Sequence, residues 1–118
     1  MSARYPVIAE TVYNGRDNII TLVLSNNGSV ITDLSGVTRV VVKIDDSTTV
    51  DSDVVGSSVI WWTDSLTYRG ATTDVLRFKL GGQSLDAGEY QGVEVVFYDG
   101  NLTNGAQLQS GMTLTVVD

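Results

Sequence analysis

Along most of this chain apolar and polar residues alternate one by one, and no stretch of about ten residues carries apolar positions at helical spacing. Strict alternation places successive side chains on opposite faces of a strand. Val7 to Val12 reads as a first strand, and Asn18 to Ser25 as a second, with Ile20, Leu22 and Leu24 on one face. Asn26-Asn27-Gly28 ends it as a turn, and Val30-Ile31-Thr32 is a short continuation before the loop Asp33-Leu34-Ser35-Gly36. Val37 to Asp45 follows, with Val40, Val42 and Ile44 on one side and Arg39, Val41 and Lys43 on the other. Asp45 to Ser58 is polar, with room for a short edge strand around Val54-Val55, and Val59 to Thr63 is a compact strand carrying Trp61 and Trp62. Asp64 to Asp74 reads as loop. Val75 to Leu80 turns Leu76, Phe78 and Leu80 inward and ends at Gly81-Gly82. Tyr90 to Tyr98 and Gln107 to Val117 are the last strands, joined by a hairpin loop, and Met112, Leu114 and Val116 lie on the core side.

About seven to nine short strands with frequent turn signals predict an all-β fold, an immunoglobulin-like antiparallel β-sandwich. The segment Leu85-Asp86-Ala87-Gly88-Glu89-Tyr90 supports this. Small and polar residues lead into a Tyr at the start of a strand, the pattern of a tyrosine corner, in which the hydroxyl bonds back to backbone upstream. Here the acceptor is expected between Gln83 and Ala87, which makes Tyr90 a structural residue. An antibody domain has Cys two positions later; this chain has Gly92. A register also follows. With the third long strand antiparallel to the Tyr90 strand, setting Val41 opposite Val96 puts Lys43 opposite Glu94 and Arg39 opposite Tyr98. These are apolar, opposite-charge and cation–aromatic pairs. A slip by one residue would turn Val40, Val42 and Ile44 to solvent.

With 118 residues the chain fits one domain spanning 1–118, large enough to bury roughly 65–70% of its unfolded surface without staples. It has no Cys and no His, which excludes Cys/His zinc sites and Ser-His-Asp or Cys-His nucleophilic centres. Fourteen acidic against seven basic side chains give a net charge of −7, the wrong sign for a nucleic-acid surface. No apolar run approaches the ~20 residues of a membrane span, and none near Met1 resembles a signal peptide. Asn27-Gly28-Ser29 and Asn101-Leu102-Thr103 match glycosylation acceptors and are taken as loop residues.

The remaining candidates are surface residues. Trp61 and Trp62, adjacent on a strand, must face opposite ways, so one belongs to the core and the other to a rim or interface. An exposed Trp beside Tyr68 would make a stacking platform for a glycan. Val41, Val96 and Tyr98 form an apolar stripe, edged by charge, on the outer face of their sheet, suited to docking. Asp45, Asp46, Asp51 and Asp53 share one region but lack the Asp-x-Asp-x-Asp-Gly spacing and the closing Glu of a calcium loop, so a solvated acidic loop is expected. No cofactor, metal or catalytic residue is assigned, and enzymatic activity is not expected of a small sandwich with little cleft.

Three segments resemble the small immunoglobulin-like domains of tailed-bacteriophage virion proteins: Asp33-Leu34-Ser35-Gly36-Val37-Thr38-Arg39-Val40, the Leu85-x-Ala87-Gly88-x-Tyr90 corner, and Phe97-Tyr98-Asp99-Gly100-Asn101 with Asn104-Gly105. Such modules occur in capsid decoration proteins, baseplate adaptors and tail components. The resemblance spans roughly residues 18–117 and implies architecture rather than binding residues. It implies a virion location after synthesis in a bacterial cytoplasm, with the major capsid protein or other virion proteins as partners and a homo-oligomeric state. A lone domain of this length suits a decoration or cement subunit, with residues 1–6 as a docking arm. The alternatives are a tail or baseplate module and a carbohydrate-binding receptor-recognition module.

Overall fold

The computed structural model describes residues 9–26, 29–100 and 105–118, and of residues 26 and 106–111 the backbone alone. The expected docking arm at 1–6, the Asn27-Gly28 turn and the hairpin loop residues 101–104 lie outside the described residues. The elements run β1 (Ala9–Tyr13), β2 (Ile20–Leu22), β3 (Ser25–Asn26), β4 (Ser29–Val30), β5 (Val37–Lys43), β6 (Thr49–Asp51), the single helical turn α1 (Ser52–Val55), β7 (Ile60–Tyr68), β8 (Ala71–Phe78), β9 (Gly88–Asp99) and β10 (Ala106–Val117).

Two sheets form a β-sandwich. One has the order β1-β10-β9-β5-β6 and the other β2-β8-β7, while β3 and β4 make a separate ribbon. All pairings are antiparallel except that of β1 with β10. This is the immunoglobulin arrangement, with β2, β8 and β7 in the places of strands B, E and D, and β10, β9, β5 and β6 in those of G, F, C and C′.

Every inward set read from the alternation is buried. Val40, Val42 and Ile44 of the β5 line meet Ile20, Leu22 and Leu24, then Leu76, Phe78 and Leu80, then Met112, Leu114 and Val116, in one cluster. Each fully buried aliphatic or Phe side chain contributes roughly 1.5–3 kcal/mol against an exposed one, so this cluster is the main source of stability. The β5–β9 register is the expected one: Val41 pairs with Val96, Lys43 with Glu94 and Arg39 with Tyr98.

The tyrosine corner is present. The Tyr90 hydroxyl donates to the Asp86 carbonyl at 2.7 Å, and its half-buried ring packs on the core cluster. Gly92 has φ +75°, and the β9–β10 register shifts beside it, between Met112/Val93 and Leu114/Tyr90. This bulge lets Tyr90 and Val93, three positions apart, both serve the core. It also places the residue two after Tyr90 in a left-handed, exposed conformation where a core Cys would not fit.

Behind the corner, Gly15 N–H donates to the Gly81 carbonyl at 2.7 Å. A Cβ on Gly81 would stand 2.0 Å from the Arg16 carbonyl oxygen and 2.6 Å from that of Tyr13. Asn14 Nδ2 ties this region together, donating to the Leu85 carbonyl at 2.9 Å and to Asp118 Oδ1 at 2.8 Å.

Two stretches differ from the sequence reading. Residues 64–74 are not loop: β7 runs to Tyr68 and β8 begins at Ala71, joined through Arg69 and Gly70 with φ of +51° and +81°. Positive φ at both central residues marks a type I′ hairpin. The usual Asn-Gly or Asp-Gly signal is missing, and Ser and Thr on both sides of the turn hid the strands. The expected edge strand at Val54-Val55 lies instead four to five residues earlier, at β6. Val54 and Val55 sit in α1, where Asp51 caps by accepting from the Asp53 N–H, and Val54 is left 81% exposed.

Two stability outcomes follow. Tyr90→Phe removes a hydrogen bond whose acceptor water can reach, so it should cost about 0.5–1.5 kcal/mol, and Tyr90→Ala about 2–4 kcal/mol as a half-buried aromatic truncation. Urea unfolding of both variants measures this; a Tyr90→Phe chain as stable as the parent would show that the corner carries no load. Gly81→Ala should cost more than Tyr90→Phe, about 3 kcal/mol or more, because two backbone carbonyls would have to move. Failure of that variant to show a lowered melting temperature would contradict the close approach.

Candidate functional site

The outer face of the larger sheet centres on Arg39. Its Nε donates to Asp51 Oδ1 at 3.0 Å and its Nη2 to Asp51 Oδ2, a two-pronged grip across β5 and β6. Asp53 Oδ2 lies 3.6 Å from the same Nε, and the guanidinium sits 4.7 Å from the Tyr98 ring centroid. The Arg39 fork holds the Asp51 carboxyl below the usual carboxylate range, against a smaller opposing effect of burial. The Tyr98 ring and Val96 lie over Gly105, whose φ is +83°; a Cβ there would come within 2.8 Å of both side chains. The expected stripe therefore exists in register, but as a docking surface it needs correction. Val41 is buried, and only Val96 and Tyr98 are half open.

The two tryptophans face opposite ways, as alternation requires, but neither is wholly core. Between the pairs Trp61↔Arg77 and Asp64↔Val75, two β7 residues oppose one β8 residue. This bulge puts Trp62 inward, packed on the core cluster with its Nε1 donating to the Val37 carbonyl at 3.2 Å. It also brings Trp61 and Asp64, three apart in sequence, onto the same outer face. Trp61 Nε1 donates to Asp64 Oδ2 at 2.8 Å, and Arg77 Nη1 reaches the same oxygen at 2.8 Å. The Trp61 bond first, and Arg77 second, lower the Asp64 pKa.

Tyr68 lies on this outer face too, at the hairpin tip, with the Arg69 guanidinium 5.1 Å from its ring centroid. It does not join Trp61 in one platform. Trp61 pairs with Arg77 and Tyr68 with Ala71, which separates them by about 20 Å along β8.

At the start of β7 the two indoles, with Thr38, Ser52, Asp53 and Ser57, line a groove of about 240 Å³. It exists because β6 is only three residues long and pairs with β5 only from Val41 to Lys43, so the first part of β5 has β9 on one side and no strand on the other. Side chains cover that edge: Ser52 Oγ accepts from the Val40 N–H at 2.9 Å, and Trp62 occupies the Val37 carbonyl. Sequence reasoning missed this groove, since it depends on where β6 stops.

The four aspartates do not converge. Asp45 closes its own turn, accepting from the Ser47 and Thr48 N–H groups at 2.9 and 2.8 Å, while Asp51 and Asp53 sit at the far end of β6 beside Arg39. Among the described residues no group of three or more His, Cys, Asp or Glu side chains is placed to hold a metal ion. Asp45, Asp46, Lys43, Gln91 and Glu94 line an open polar depression of about 280 Å³ at the other end of the larger sheet. Among the described residues no helix is long and apolar enough to cross a membrane. The chain matches no protein-family model, no curated protein and no solved structure.

The lowered Asp51 and Asp64 values carry a pH signature. A carboxyl whose folded pKa lies below its unfolded value of about 4 adds stability that is complete above that value and lost as pH falls through the folded one. The urea midpoint should be level from pH 7 to about 5 and fall below about 4. In Asp51→Asn/Asp64→Asn it should start lower at pH 7 and fall less steeply. An unchanged slope in the double variant would show that these two groups do not govern acid stability.

Proposed function

We propose that this domain is a non-enzymatic structural subunit of a tailed-bacteriophage virion, a decoration or cement protein that binds the assembled head. The observation that carries the reading is where the three resembling segments fall. Residues 33–40 lead into and form the first half of β5, residues 85–90 form the tyrosine corner, and residues 97–105 include the end of β9 and the glycine under Tyr98. They are the joints of a sandwich whose surface is left to make contacts. The tail and baseplate role shares that support, because a fold hosts many roles.

The mechanism is linkage. A subunit that binds across neighbouring capsid proteins, and only in their assembled arrangement, stabilises that arrangement by mass action. The larger sheet presents Arg39, Tyr98 and Val96 for such contact, and the smaller presents Trp61 and Tyr68. Mass spectrometry of purified virions should find the chain in numbers comparable with the major capsid protein, and cryo-imaging should place its density on the head. A handful of copies at the tail would replace decoration with the tail or baseplate role. Binding of the isolated domain on a glycan array, lost in Trp61→Ala, would replace both with receptor recognition.

A further inference from the structure

The smaller sheet ends in an unprotected edge. β7 spans nine residues, and among the described residues only β8 pairs with it. Edge strands are normally blunted by shortness, bulges, Pro or Lys, and the one bulge in β7 is confined to Trp62-Thr63. Here the edge of the larger sheet, β6, has three residues, but β7 has no Pro, no Lys and a single charge, Asp64, already engaged by Trp61 and Arg77. From Asp64 to Tyr68 its pairing with β8 is regular, so the outward backbone groups of that run form a straight template.

The two ends of β7 complement each other. Its first residues border the groove lined by Trp61, Trp62 and Asp53. Its last residue, Tyr68, leads into Arg69, for which no carboxylate partner stands among the described residues. Antiparallel pairing of two identical strands brings the beginning of each against the end of the other, which makes the edge self-complementary in the sense of a two-fold interface.

We propose that two copies of this chain associate edge to edge through antiparallel β7 strands, with Leu66 on the two-fold axis. Leu66 then faces the second copy's Leu66, and Asp64 stands opposite the second copy's Tyr68. The irregular Trp62-Thr63 stretch falls outside the paired run. The Arg69 guanidinium of each copy reaches the groove of the other, where it meets the two indoles and the Asp53 carboxylate. The two three-stranded sheets become one of six strands, and the open edge disappears. This inference does not depend on the virion reading and is tested on the isolated domain.

Sedimentation velocity of the purified chain should show a concentration-dependent dimer. Leu66→Lys and Leu66→Glu should each be monomeric, because like charges would meet on the axis, while an equimolar mixture should dimerise again. Arg69→Glu should weaken the dimer about tenfold or more. If the Leu66 variants fail to fold, hydrogen exchange of the wild-type chain decides: the edge-facing amides of Ser65 and Thr67 should gain protection as concentration rises, and those of β1 and β6 should not. A wild-type chain that stays monomeric at about 1 mM overturns the proposal, since a dimer of any tighter Kd would be largely formed there. So does a dimer that persists in Leu66→Lys, a mixture of folded Leu66 variants that stays monomeric, or exchange at Ser65 and Thr67 that ignores concentration.

Discussion

The pairing of β5 with β9 is the constraint on which the other elements hang. It fixes which side of each strand is core. Val40 stands beside Phe97 and Val42 beside Val95 within the sandwich, while Arg39 with Tyr98 and Lys43 with Glu94 take the outside. β6 is built on the free side of β5 and β10 on the free side of β9, so an error in this one register would pass through the whole five-stranded sheet. Arg39 reports the register chemically. It grips Asp51 of β6 while stacking over Tyr98 of β9, so three strands must be correctly placed before its bonds can be made together.

The departures from strict alternation matter as much. Each bulge moves a residue to a face that simple counting denies it. At Gly92 the shift lets Tyr90 reach the core from a position out of phase with Val93, Val95 and Phe97. At Trp62 and Thr63 it brings Trp61 and Asp64 together. The tyrosine corner and the outer tryptophan cluster are therefore both products of an extra residue in a strand.

How much of this was legible in the sequence depends on the range of the interaction. The core sets and the β5–β9 register were legible because side chains two apart on a strand share a face, and a single pairing propagates along it. The Tyr90 bond to Asp86 was legible because both partners lie in one turn. The β7–β8 hairpin was not, since Arg69-Gly70 lacks the usual turn residues and Ser65, Thr67 and Thr72 blur the polar–apolar contrast. The Trp groove was out of reach for a different reason. It depends on where β6 ends relative to β5, and Ser52 covering the Val40 N–H is a contact that no spacing rule announces. The same holds for Asn14, whose bonds to Leu85 and Asp118 join segments 71 and 104 positions apart.

That last separation sets a timetable. β1 lies parallel to β10, so the first described strand to leave a ribosome finds its neighbour only after about a hundred further residues have emerged. At roughly 5–20 residues per second, β1 waits on the order of ten seconds with its backbone groups bonded to water. The β7–β8 hairpin, closed by a two-residue turn, can form within microseconds of its own emergence. Synthesis therefore produces the smaller sheet's hairpin early and completes the five-stranded sheet last, at the strand where the two extremes of the described chain meet.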